Sequence, residues 1–268
     1  MIIMKKTLIT TITLLLIGIT VFAQQKQAKF ITSGTIDYQK RVNVYSTILY
    51  QVRKDADPNM LASFQRMLEN YKKTQPQFAT FSSSLSFNNN KMLLVPNKAA
   101  VPFQSVEFNP ITSESNTIYT DLTAGTITVE KDAMGEQFLI KDNMRQAKWK
   151  ITEETRDILG YTCRRANGLV SDSVFVVAFY ADDIRVSGGP ELFSGLPGMI
   201  LQLNIPHENV SWTATKITLG TPAKAITPPQ KGKAIDTKQF LSTIQKGMAA
   251  YKSRGINVDY YIKMLGLM

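Results

Sequence analysis

The chain of 268 residues has one cysteine, one histidine and two tryptophans. A lone cysteine, Cys163, excludes an intrachain disulfide, so stability has to come from packing. Cys163 and His207 together fall short of the four ligands of a structural zinc site and the three of a catalytic one, so neither a metal nor any other cofactor is expected. A phosphate-binding loop is missing too, because no glycine pattern of dinucleotide or P-loop spacing stands between a strand and a helix. There is no internal repeat of fixed period. Acidic residues are outnumbered 31 to 21, and the formal charge of +10 drops by two without Lys5 and Lys6. The basic residues are scattered rather than grouped with aromatics, which argues against a nucleic-acid groove and for a solvated surface.

The N-terminus is where hydrophobicity concentrates. Lys5 and Lys6 precede an apolar run from Leu8 to Phe22, and Val21-Phe22-Ala23 offers a small residue before Gln24. This reads as a signal peptide over residues 1–23, too short to anchor as a membrane span. The expectation is an exported protein, periplasmic, outer-membrane associated or secreted, with no transmembrane span in the mature chain.

Beyond it, Ile36, Tyr38, Val42 and Val44 fall on one face of a strand. Asp57-Pro58 then opens a helix whose apolar stripe is Met60, Phe64, Met67, Leu68 and Tyr71. From Phe78 to Leu219 short alternating runs separated by Gly, Asn, Asp or Pro read as strands, without the helices that parallel crossovers need. The fold class expected is mainly β: a single curved antiparallel sheet or partly open barrel, with one inserted helix and a C-terminal helix. The mainly-β domain spans 33–220, a Pro/Lys-rich linker 221–235, and a helical tail 236–268 whose face is Phe240, Ile244, Met248 and Tyr251.

The run Gly188 to Leu203, "GGPELFSGLPGMILQL", concentrates glycine and proline. Leu196-Pro197-Gly198-Met199 fits a type II turn with positive φ at Gly198, delivering Met199, Ile200 and Leu201 into a strand. Ser194 lacks the flanking glycines of a nucleophile elbow, so no catalytic serine is expected. Asp182, Asp183 and Glu191 bracket the turn and are the carboxylates available for general acid and base work. Trp149, Phe179 and Tyr180 are large surfaces that fill a core or line a groove. His207 reads as an exposed or locally bonded histidine, and Cys163 as a small buried hydrophobe.

The same run resembles the signature of the GLPGLI family of exported Bacteroidetes-type proteins, carried here by Gly195, Leu196, Pro197, Gly198, Met199 and Ile200. "WKITEETRDILGYTCRRA" and "VAFYADDI" are similar to its upstream elements. The resemblance implies export, one mainly-β domain and a cell-envelope role. It leads to the expectation of a protein that binds an envelope or outer-membrane partner or an apolar ligand and catalyses nothing, with Trp149, Phe179, Tyr180, Asp182, Asp183 and Glu191 as binding residues. The alternatives are a secreted hydrolase using the carboxylates near the turn, and an outer-membrane assembly factor.

Overall fold

The computed structural model describes residues 30–97, 111–112, 116–145, 147–171 and 173–267. The expected signal peptide lies outside them. Strands β1 (Ser33–Asn43), β2 (Phe78–Asn88), β3 (Lys91–Pro96), β4 (Thr117–Asp121), β5 (Thr126–Ala133), β6 (Glu136–Asn143), β7 (Lys148–Ile158), β8 (Tyr161–Val170), β9 (Val174–Ala181), β10 (Met199–Ile205), β11 (Val210–Leu219) and β12 (Lys233–Ile235) form one sheet. Its order is β12-β6-β5-β4-β3-β2-β1-β11-β10-β9-β8-β7, so it is open rather than closed. Every pairing is antiparallel except β12 on β6. The stretch expected as a linker therefore ends in a strand, admitted because Gly232, at φ +111°, runs close against the backbone of Phe138 and Leu139.

Helices are α1 (Val44–Ile48), α2 (Pro58–Thr74), α3 (Thr237–Gly247), α4 (Ala249–Ser253) and α5 (Val258–Leu267), with a 3-10 turn at Leu49–Gln51. Asp57 caps α2 by accepting the Asn59 N–H at 2.8 Å, with Pro58 at the first helical position. Its buried face is Phe64, Leu68 and Tyr71. Asp236 caps α3 by accepting the Gln239 N–H, and Phe240 packs edge-on to Phe138 of β6 at 5.1 Å.

The alternation of β1 sorts its side chains: Ile36, Tyr38, Lys40 and Val42 are buried, Gln39 and Arg41 exposed. Inside, the Lys40 ammonium lies 5.2 Å from the Trp212 ring and 5.8 Å from that of Phe81, contacts that favour a buried cation. Met92 on β3 and Met199 on β10 stand four strand positions apart. Both nevertheless lie within 3.5 Å of where a Cβ on Gly188 would sit. The sheet is thus curved around the segment 184–198.

That segment is the glycine-rich run, and its role differs in detail from the turn expected. Positive φ occurs at Gly195 (+98°) and not at Gly198. Gly198 is required by close approach: a Cβ there would stand 2.1 Å from the Ala181 carbonyl oxygen. The type II turn is corrected accordingly. Packing of one backbone on another, not a left-handed angle, selects glycine at 198. From Gly188 to Ser194 the chain crosses the inside of the sheet, where Phe193 meets Trp212 and the Trp149 Nε1–H donates to the Ser194 carbonyl at 2.9 Å.

Candidate functional site

The outer face of the sheet, opposite this core, carries a set of hydrogen-bonding side chains on neighbouring strands. Strand register builds it in rows. Arg165, Phe179, Gln202 and Thr213 stand opposite one another across β8-β9-β10-β11, and the row continues to Gln39 on β1. The next row is Asn167, Val177, Asn204 and Ser211, continuing to Arg41. Period-two alternation places these polar residues outward because their chain neighbours Ala166, Ala178 and Leu203 face the core.

Between the rows lies a shallow groove of about 530 Å³, lined also by Pro206 and Asn209. The Arg156 guanidinium lies 4.3 Å above the Phe179 ring and donates to Gln202 Oε1 at 2.9 Å. Arg165 is held twice, donating from Nη1 to Glu154 Oε2 and from Nε to Asn167 Oδ1. Guanidinium, amide and carboxylate groups on one plane over an aromatic ring can hydrogen-bond paired hydroxyls and pack against an apolar ring edge. The groove volume falls in the range of about 300–1,000 Å³ usual for ligand sites.

A second, inner cavity of about 170 Å³ is lined by Asp142, Arg145, Glu191 and Ser194 among others. Burial pushes the Arg145 guanidinium down to about 10. Its donors reach the Gly266 and Leu267 carbonyls at 2.6 and 3.0 Å. Burial tends to raise the Asp142 carboxyl, but hydrogen bonds from Thr237 and Asn143 outweigh it and hold the group below the usual carboxylate range. Asp142 accepts the Thr237 N–H at 3.1 Å and so helps seat α3. These contacts are structural.

The residues singled out from sequence distribute over both faces. Phe179 is 3% exposed in the outer groove under Arg156. Tyr180 is fully buried; burial, then the charge of Asp182, pushes its phenol up against the opposing pull of Arg164. Trp149 is half-buried on β7 and fits beside Gly168, where a Cβ would strike its ring at 2.5 Å. Asp182 and Asp183 are exposed, Asp182 standing 4.0 Å from Arg164. Glu191, at φ +52°, is 9% exposed and lines the inner cavity, which neither aspartate lines. Gly195, Leu196, Pro197, Gly198, Met199 and Ile200 build the crossing of the core and its return into β10.

Sequence reasoning missed Glu154, Arg156, Arg165, Gln202 and Asn204. The signal was there as polar residues two apart in "ITEETR", "RRAN" and "LQLN", which periodicity alone reads as a solvated strand face. His207 is exposed, with its Nδ1 3.1 Å from the buried Glu208 carboxylate and its ring stacked on Tyr50. Among the described residues no three His, Cys, Asp or Glu side chains are grouped as a metal ion would need. No helix among them is long and apolar enough to cross a membrane.

A family model described as N-glycanase peptide, N-terminal domain, matches residues 64–240, about two thirds of the chain. No curated protein matches significantly. Two solved structures of PNGF-II resemble the chain: the C2 crystal form at 16% identity and TM-score 0.50, and the P21 form at 18% identity and TM-score 0.48. Each covers 80% of this chain, which spans 33% of theirs. The C2 likeness concerns the fold. The family match overturns the GLPGLI resemblance, and with it the envelope partner- or apolar-ligand-binding role that rested on it. The physical reason is local: a strand, a glycine-proline crossing and a returning strand answer a packing demand inside a curved sheet, and that demand is not peculiar to one family.

Proposed function

Because the chain belongs to the N-glycanase peptide, N-terminal domain family, we propose that it serves N-glycan processing by holding an N-glycosylated peptide on the outer face of β8 to β11. The observation that carries this reading is the juxtaposition, within the residues the family model matches, of Arg156 and Gln202 over Phe179 with Asn204 and Ser211 in the next row. A glycan offers many hydroxyls and few charges. Side-chain amides and guanidinium groups are the donors and acceptors that answer such a ligand, and their alignment by the sheet limits the entropy lost on binding. Phe179 adds an apolar surface for a sugar ring once Arg156 moves aside.

N-glycosylated proteins are found on the secretory side of membranes, and the N-terminal signal reading fits export to that side. Whether the protein works in the periplasm, at the outer membrane or free in the medium is a finer proposal; secretion agrees best with a glycoprotein substrate.

The test is calorimetric titration of the chain with a short N-glycopeptide and with the same peptide after its glycan is removed. Binding of the glycopeptide alone, weakened about tenfold or more by Gln202→Ala with Asn204→Ala (two hydrogen-bonding groups lost), is expected. Equal binding of both peptides, or release of the glycan by the chain alone, would overturn the holding role.

A further inference from the structure

The two arginines of the outer groove are in different electrostatic states. Arg165 is neutralised by the Glu154 carboxylate and further fixed by Asn167. Arg156 bonds to a neutral amide, Gln202, and rests on the Phe179 ring. Among the described residues Arg156 has no ion pair, and its bond to Gln202 is solvent-exposed, so the guanidinium has donors facing open water. Phe179 is 3% exposed although it belongs to the outward row, which makes Arg156 its cover.

We infer that Arg156 is a specificity-determining residue of this groove, selecting glycans that carry an anionic sugar, a carboxylate or a phosphate, over neutral ones. The inference rests on the glycopeptide-holding reading of the same face. Of the two arginines that line the groove, Arg156 is the one with no carboxylate at ion-pair distance among the described residues, and its planar fork matches a carboxylate or phosphate with two parallel hydrogen bonds. The Phe179 ring beneath holds the guanidinium plane in place, so less freedom is lost when the anion binds. A neutral hydroxyl takes only a single, weaker hydrogen bond from the same guanidinium, without the second parallel bond or the opposite charge.

The experiment titrates three forms of one N-glycopeptide, sialylated, phosphomannosylated and neutral, into the chain and its variants. One or both anionic forms bind roughly tenfold tighter than the neutral one, the scale of a charge-assisted hydrogen bond, and added salt narrows the gap. Arg156→Ala removes that preference, weakening anionic binding more than neutral binding; Arg156→Lys keeps part of it. Glu154→Gln, which frees Arg165, widens it. Unchanged melting temperatures identify folded variants. Equal binding of the three forms, with Arg156→Ala without effect, overturns this inference and leaves the holding role intact. If no form binds, the holding role itself fails.

Discussion

At the scale of single residues, glycine and cysteine are placed by space rather than by chemistry. Gly198→Ala forces a Cβ to 2.1 Å from a backbone oxygen that cannot swing away, and a loss of about 1–3 kcal/mol in urea unfolding is expected, as for overpacked cores. Gly125, whose Cβ would meet nothing within 4 Å, bears only the cost of its left-handed φ, so Gly125→Ala loses about 1–2 kcal/mol. Cys163 is fully buried, and burial, then the charges of Asp157, Asp182 and Asp183, pushes its thiol up to about 12. The native thiol should therefore resist a thiol reagent at pH 8 and react within minutes in denaturant; fast native reaction contradicts this. Its folded pKa lies above the unfolded value, so the associated stability is intact below pH ~9 and is lost only as pH rises toward 12. The sequence made the buried cysteine legible through strand alternation. It did not reveal which of two reasons selects each glycine, since close approach depends on Ala181, a residue of the neighbouring strand.

At the scale of elements, the caps of α2 and α3 were readable because they are local: Asp57 before Pro58, and Asp236 before Thr237. Asp236→Ala is expected to cost about 0.5–2 kcal/mol, read as a lowered melting temperature. Asp142 acts on the same helix from β6, and its lowered carboxyl range sets the sign of a pH effect. A group depressed in the folded state gives stability that is present above pH ~4 and lost as pH falls through its folded pKa. Asp142→Asn should flatten the acid limb of a pH–stability curve, and an unchanged limb contradicts the assignment. The last helix, α5, is held from β5 and from the residues after β6: Lys131 donates to the Leu265 carbonyl at 3.1 Å, and Arg145 to those of Gly266 and Leu267. Arg145→Ala removes the side-chain donors to the part-buried Gly266 and Leu267 carbonyls, which costs about 1–3 kcal/mol, and hydrogen exchange should accelerate first in α5. None of this was legible in the sequence, where Arg145 lies more than a hundred residues from its acceptors.

At the scale of the whole molecule, class and strand positions follow from hydrophobic periodicity, and the open, mostly antiparallel sheet agrees with the reading from Ile36 to Leu219. Strand order does not follow from it: β1 sits between β2 and β11, and three-residue β12 joins β6 in parallel. The candidate site was hidden for the same reason. Arg156, Phe179 and Gln202 come from three strands, and only register brings them to one plane. A short signature drew attention to the glycine-proline run, which lies in the core, while the polar outer face carried no motif. The central claim is that this face, and not the inner cavity beside Glu191, receives the glycan. Its most direct test is nuclear magnetic resonance of the side-chain amide groups during titration with an N-glycopeptide. The account predicts saturable shifts at Gln202 and Asn204 with the Trp149 indole N–H, bonded inside to Ser194, unmoved. Shifts at Trp149 and residues around Glu191, with Gln202 and Asn204 silent, would contradict it.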